Sequence, residues 1–80
     1  MEVAAIYRTL TDIFHDVFDD DSIAVAPDLT AGDVDDWDSL THIRLILTVE
    51  KAFDVKFSAS EISKPKNVAD LVELIRSKTH

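Results

Sequence analysis

Residues 38–54 have the sequence DSLTHIRLILTVEKAFD and give the clearest indication of the fold. The run from Leu40 to Phe53 is rich in apolar residues. Asp38 is a good N-cap, because its carboxylate can accept hydrogen bonds from the unpaired N–H groups of a first helical turn. These features predict a helix over residues 39–53.

Apolar residues occupy two separate arcs of this predicted helix, in which each residue advances by about 100°. The broad arc that should face a core holds Leu45, Ile46, Val49, Ala52 and Phe53. Leu40, Ile43 and Leu47 lie on a different arc, and a single core-facing stripe does not need them. We expect an exposed patch that a partner protein covers. The alternative is that the segment 19–38 folds over these three side chains.

The sequence before this helix divides into a helix and a long loop. Residues 3–18 form an amphipathic stripe with spacings of three and four, which predicts the first helix. The stripe consists of Val3, Ile6, Leu10, Ile13, Phe14 and Val17. Periodicity then disappears over 19–38, where Pro27, Gly32 and the aspartates predict a loop. Such a length is typical of a functional segment, and we expect Ile23, Val25 and Leu29 to hold it on the core.

Two further helices are predicted after residue 54. Ser58 followed by Glu61 fits a capping box, and Pro65 stops the helix early, so a short third helix is expected over 59–63. A weaker start at Asn67 and Asp70 opens the last helix. Its apolar face holds Val68, Leu71, Val72 and Ile75, and Arg76 and Lys78 lie near its end.

No segment is typical of a strong strand, since the alternating stretch 55–57 is too short and has no partner. The predicted fold class is therefore all-α, a four-helix bundle with three longer helices, one short third helix and a long loop between helices one and two. With 80 residues, we expect one domain over 1–80.

Composition excludes several classes of protein. The chain has no cysteine for disulfides or thiolate ligands, no basic leader segment at its start, and no apolar run near the ~20 residues that cross a bilayer. We expect a complete, cytoplasmic, monomeric chain without a membrane partner. The net charge of −8 argues against nucleic acid, because phosphate backbones require a basic surface.

The negative charge is concentrated between residues 16 and 38, which hold nine aspartates. No Lys or Arg lies between Arg8 and Arg44. A solvated acidic loop that keeps the protein soluble explains this pattern, and docking to a basic surface is compatible with it.

Ser39 lies at the first turn of the predicted helix, close to unpaired N–H groups and the positive end of the helix dipole. A phosphodiester on its hydroxyl would be well placed there. By itself, a serine at a helix start is more often a capping residue.

The segment Asp38-Ser39-Leu40 follows an acidic loop and opens an apolar helix, and in this context it resembles the Asp-Ser-Leu motif of acyl carrier proteins. The helix lengths, the long loop and the ending 67–72 are similar to that family in order and spacing. The resemblance implies that a phosphopantetheinyl transferase moves 4'-phosphopantetheine from coenzyme A to Ser39. The terminal thiol then carries an acyl group as a thioester, so the protein is a shuttle and not an enzyme.

The resemblance also implies roles for residues around the motif. Asp38 matches the acidic residue that contacts the transferase, and Leu40, Ile43 and Leu47 match the apolar docking positions. Arg44 departs from the pattern, because fatty-acid carriers of the family usually have a recognition glutamate there.

Lys51 and Ala52 replace further acids, so the docking helix is mixed in sign. We therefore expect acyl-loading and acyl-using partners with basic or mixed docking surfaces, in a specialised fatty-acid, lipid or polyketide pathway.

Two residues near the motif have more than one interpretation. Trp37 is the only tryptophan and either packs the loop onto the bundle or contacts a partner. His42 lies one turn after Ser39, near the region where the acyl chain enters in the family. Together with Ile46 it is a candidate for the acyl pocket, although a half-buried helical histidine is the simpler interpretation.

Other functions fit less well. A serine hydrolase with Ser39 and His42 lacks the glycines of a nucleophile elbow. An EF-hand over 33–38 fails in register, so no metal site is predicted. Aminoacyl and peptidyl carriers, including those for D-alanine, share the fold and the modified serine and stay open as alternatives. An unmodified protein-interaction subunit is also open.

Overall fold

The computed structural model describes residues 2–79, which contain four α-helices and no strand. The helices are α1 Val3–Val17, α2 Ser39–Phe53, α3 Ala59–Ser63 and α4 Val68–Lys78. The predicted fold class is confirmed, and α2 and α3 begin and end where the sequence predicts. Over the same residues, no helix combines the length and the apolar character that crossing a membrane requires.

The core forms where α1 packs on α2 and α4. Residues of α1, α2 and α4 that are completely buried include Ile6, Leu10, Phe14, Leu45, Val49, Val68 and Ile75. The predicted apolar stripes of α1 and α4 thus face inward, as does most of the broad arc of α2. Burial of such side chains supplies most of the stabilisation of a small helical domain.

Two predicted core positions are wrong. Ala52 is exposed, because it lies at the margin of its arc beside the solvent-facing Lys51. Val3 is 40% exposed, because it is the first residue of α1 and has packed neighbours on one side only.

The loop between α1 and α2 is held on the bundle by side chains and by backbone hydrogen bonds. Ile23, Val25 and Leu29 are half-buried against the core, as predicted. The N–H groups of Val68 and Ala69 donate to the carbonyl oxygens of Leu29 and Pro27 at 3.0 and 2.9 Å. These two donors open α4 and have no partner inside the helix, so the loop satisfies them. The loop also contains a 3₁₀ turn, Ala31–Asp33, that the sequence did not predict.

The short helix α3 is held by its own capping box and by hydrogen bonds that involve α2 and α4. The Ser58 Oγ accepts from the N–H of Glu61 at 3.2 Å, and Glu61 Oε1 accepts from the N–H of Ser58 at 2.8 Å, which confirms the capping box. Lys78 Nζ donates to the same Oε1 at 2.8 Å and ties α3 to α4. Glu50 Oε2 accepts from the N–H of Phe57 at 2.8 Å and holds the connection between α2 and α3.

Candidate functional site

Asp38 and Thr41 fix the turn that starts α2. The N–H groups of Leu40 and Thr41 both donate to Asp38 Oδ1 at 3.0 Å. In return, the N–H of Asp38 donates to Thr41 Oγ1 at 2.8 Å. The hydrogen bond from the Thr41 N–H is the main reason that the pKa of Asp38 lies below its ordinary value. The carboxylate is therefore charged at neutral pH, and its Oδ2 takes no part in the cap.

Ser39 is the first residue of α2 and is exposed. Because Asp38 is the N-cap and supplies the acceptor for the first turn, the interpretation of Ser39 as the capping residue is wrong. The serine hydroxyl thus lies at the positive end of the helix and is not needed to cap it.

A cleft of about 440 Å³ lies beside Ser39, where α2 approaches α3 and the segment that follows it. Its lining includes Trp37, Ser39, His42, Ile62, Ser63, Pro65 and Lys66. Apolar walls alternate with polar groups around this open space. Such a surface suits a flexible chain that carries both methyl groups and amides.

Trp37 and His42 form one wall of the cleft and are joined by a hydrogen bond. Trp37 Nε1–H donates to His42 Nδ1 at 3.1 Å, so Nδ1 is the unprotonated nitrogen. His42 Nε2–H then donates to the carbonyl oxygen of Ile62 at 3.0 Å. With both nitrogens engaged, His42 is not available as a base for Ser39, and the hydrolase interpretation has no support in this geometry.

The indole of Trp37 joins the loop to α1. Its ring lies edge-on to Phe14, with 5.2 Å between the centroids, and 6.1 Å from the ring of Phe18. The interpretation of Trp37 as a packing residue is therefore confirmed. Of the two pocket candidates, His42 lines the cleft, whereas Ile46 is only 1% exposed and belongs to the core.

Leu40, Ile43 and Leu47 form an exposed apolar strip, called here the outer face of α2. Their side chains are 71%, 54% and 57% exposed, so the loop does not cover them. Arg44 and Lys51 are exposed as well. An apolar strip that the fold leaves uncovered is available to a partner.

Sequence reasoning missed the far wall of the cleft. Ser63, Pro65 and Lys66 come from the end of α3 and the segment after it, more than 20 residues from Ser39. No local pattern carries that information, because only the packing of α3 beside α2 brings these residues to the serine.

Comparison with known proteins agrees with this geometry. Residues 8–75 match the family described as phosphopantetheine attachment site. The chain is also similar to a holo acyl carrier protein from Geobacter metallireducens, solved by solution NMR. The two are 46% identical over 90% of this chain and 83% of that chain, with a TM-score of 0.85.

A search of curated proteins found no match. The match over residues 8–75 spans most of the chain, and the solved carrier shares both its sequence and its fold. The chain therefore belongs to the acyl carrier proteins, which are carriers and not enzymes and hold their cargo on covalently attached 4'-phosphopantetheine.

Proposed function

We propose that Ser39 is the residue that receives 4'-phosphopantetheine, and that residues 1–80 act as one carrier domain in a specialised fatty-acid, lipid or polyketide pathway. The observation that carries the assignment is that one residue caps the start of α2 and a different residue presents a free hydroxyl there. Asp38 caps the helix, and this leaves the exposed hydroxyl of Ser39 free to be esterified.

The electrostatics around Ser39 support a phosphodiester at this position. The first N–H groups of α2 and the helix dipole favour a negative group on the hydroxyl. The charged carboxylate of Asp38 has its Oδ2 free of the cap and is suited to a cation of the transferase. A partner with a basic rim would therefore approach Ser39 from the acidic side of the molecule.

The cleft beside Ser39 fits the prosthetic group. Trp37, Ile62 and Pro65 offer apolar contact, and Lys66 offers a donor for a carbonyl or hydroxyl oxygen of the arm. When bound, the group supplies the thiol that holds an acyl chain as a thioester. A flexible tether on a small carrier keeps the cargo at high effective concentration for the enzyme on which the carrier docks.

The outer face of α2 is the surface that we assign to docking. Leu40, Ile43 and Leu47 are apolar and uncovered, and Arg44 lies beside them. Docking through three side chains is modest in strength, which suits a shuttle that must leave each enzyme quickly. Arg44 supports partners other than the ordinary enzymes of fatty-acid synthesis, since a positive charge repels a basic docking surface.

The attachment site is tested by intact mass after incubation with coenzyme A and a broad-specificity phosphopantetheinyl transferase. We expect the protein to gain one 4'-phosphopantetheinyl group, the variant Ser39→Ala to gain none, and Ser77→Ala on α4 to behave as the unaltered protein. A protein that keeps its original mass, or a Ser39→Ala variant that is still modified, would refute the assignment.

The pathway assignment is tested with a ketosynthase of fatty-acid synthesis. We expect this protein to bind it more weakly than a carrier with an acidic docking helix, and Arg44→Glu to strengthen binding. Arg8→Glu makes the same change of net charge on α1 and serves as the control. An affinity that Arg44→Glu leaves unchanged would contradict the assignment.

A further inference from the structure

Arg44 and Lys51 form a positive edge along the outer face of α2. At about 100° per residue, Arg44 lies about 60° and Lys51 about 40° from Leu47 on the same side of the helix. They are seven residues apart, which is about 10 Å along the axis. The apolar strip of the outer face is thus bordered on one side by two cations.

These cations are not neutralised within the described part of the chain. The ion pairs of residues 2–79 join Glu73 to Arg76 and Glu61 to Lys78. The only carboxylate inside α2, that of Glu50, accepts from the N–H of Phe57 and is half-buried. Arg44 and Lys51 therefore keep their charges for an external group.

The start of the same surface is negative. Asp35, Asp36 and Asp38 are exposed just before α2. α2 has 15 residues and is about 22 Å long. The acidic residues lie at its start, and the two cations follow along one side of the apolar strip, six and thirteen residues after Asp38. Beyond Leu47 the strip opens into a groove of about 760 Å³, where Lys51 and Lys56 line the walls together with Glu50, Asp54 and Val55.

From this arrangement we infer that the partner proteins carry carboxylates that face Arg44 and Lys51, next to an apolar pocket for Leu47, and a cation that faces Asp38. The inference rests on the proposed docking role of the outer face and specifies the partner's chemistry. A two-signed surface can be matched in only one direction along α2, because the reversed orientation would place like charges together. The charge pattern thus sets the direction in which α2 lies on the partner. It also sets the end of the partner's docking surface at which Ser39 lies.

The inference is tested with two synthetic amphipathic helical peptides that share one apolar stripe, bordered by glutamates in one and by lysines in the other. Binding is followed by ¹⁵N NMR titration, with the affinity taken from the amides of residues 40–51. We expect the glutamate-bordered peptide to bind this surface about threefold more tightly, as two exposed ion pairs would give. The net charge of −8 favours the opposite order, so the result is specific to the outer face.

Charge reversal supplies the matched control. The double variant Arg44→Glu with Lys51→Glu should invert the preference, whereas Arg8→Glu with Arg76→Glu, which changes the net charge equally on α1 and α4, should preserve it. Equal affinities, a preference for the lysine-bordered peptide, or binding of neither peptide at residues 40–51 would overturn the inference. The mass measurement on Ser39 is independent of the peptides, so failure of the attachment assignment would be seen separately.

Discussion

Leu45 and Leu47 lie two residues apart on α2, yet Leu45 is fully buried and Leu47 is 57% exposed. The inner face of α2, formed by Leu45, Ile46, Val49 and Phe53, packs against α1 and the rest of the core. The outer face has the same kind of side chain, but Leu40, Ile43 and Leu47 stay 71%, 54% and 57% exposed. The inner face thus serves stability, and we propose that the outer face serves recognition, so substitutions on the two faces should have different effects.

The largest effect is expected at the inner face. Leu45→Ala removes buried methyl groups and leaves a cavity, which should lower the free energy of unfolding by about 2–5 kcal/mol. Leu47→Ala should change it by less than about 0.5 kcal/mol, since its side chain is exposed. Urea denaturation of both variants measures the difference. Similar losses for the two variants would mean that the outer face is part of the core.

For binding to the transferase, the larger effect is expected at the outer face. Leu47→Ala should reduce kcat/KM for loading by the transferase about fivefold, as loss of about 1 kcal/mol of docking contact would produce. Val3→Ala on α1 is the control, because Val3 is also apolar and exposed but lies outside the outer face. If both variants load as fast as the unaltered protein, the outer face does not dock this enzyme.

Much of this architecture is predictable because its signals are local. Asp38, Ser58 and Asn67 each accept hydrogen bonds from N–H groups two or three residues ahead, so three helix starts can be read from short stretches of sequence. The two faces of α2 follow from the helical period alone. Ala52 shows the limit of that period, since a residue at the edge of an arc is buried only if a neighbour covers it.

The remaining contacts join residues that are distant in sequence and leave no local pattern. His42 donates to a carbonyl oxygen 20 residues away, and Lys78 pairs with a carboxylate 17 residues away. The loop carbonyl oxygen that accepts from Val68 belongs to Leu29. Such pairs depend on how α3 and α4 pack, and the cleft beside Ser39 depends on the same packing.

The hydrogen bond between Trp37 and His42 joins the loop to the core side of α2. Trp37→Phe keeps an aromatic ring beside Phe14 but removes the N–H, and it should cost about 1 kcal/mol of unfolding free energy. Urea denaturation measures the loss, and NMR of the His42 ring should place the proton on Nε2. Unchanged stability together with a proton on Nδ1 would show that this bond does not form.

The smallest effect is expected in the pH dependence of Tm, where Lys78, which pairs with Glu61, is compared with Arg44. The hydrogen bond from Lys78, together with that from the Ser58 N–H, lowers the pKa of Glu61 from its usual 4.5 to about 2. A carboxyl with a lowered pKa in the folded state stabilises the protein above pH 4.5, and the contribution is lost as pH falls from 4.5 towards 2. Glu61→Gln should therefore flatten the decline of Tm over this window.

Substitution of the cations completes this test. Lys78→Met should raise the pKa of Glu61 and flatten the same decline, whereas Arg44→Met should leave the pH profile as it is, because Arg44 has no such carboxylate partner among residues 2–79. Parallel profiles for Glu61→Gln and the unaltered protein would contradict the role of the pair.

We propose that Ser39, whose hydroxyl takes no part in the cap of α2, carries the prosthetic group. The most direct measurement is fragmentation mass spectrometry of the loaded protein after proteolysis, which assigns the added 4'-phosphopantetheine to one residue. We predict that the modification is found on Ser39 and on no other serine. Its location at Ser22, Ser58 or another hydroxyl would show that Ser39 is not the attachment site.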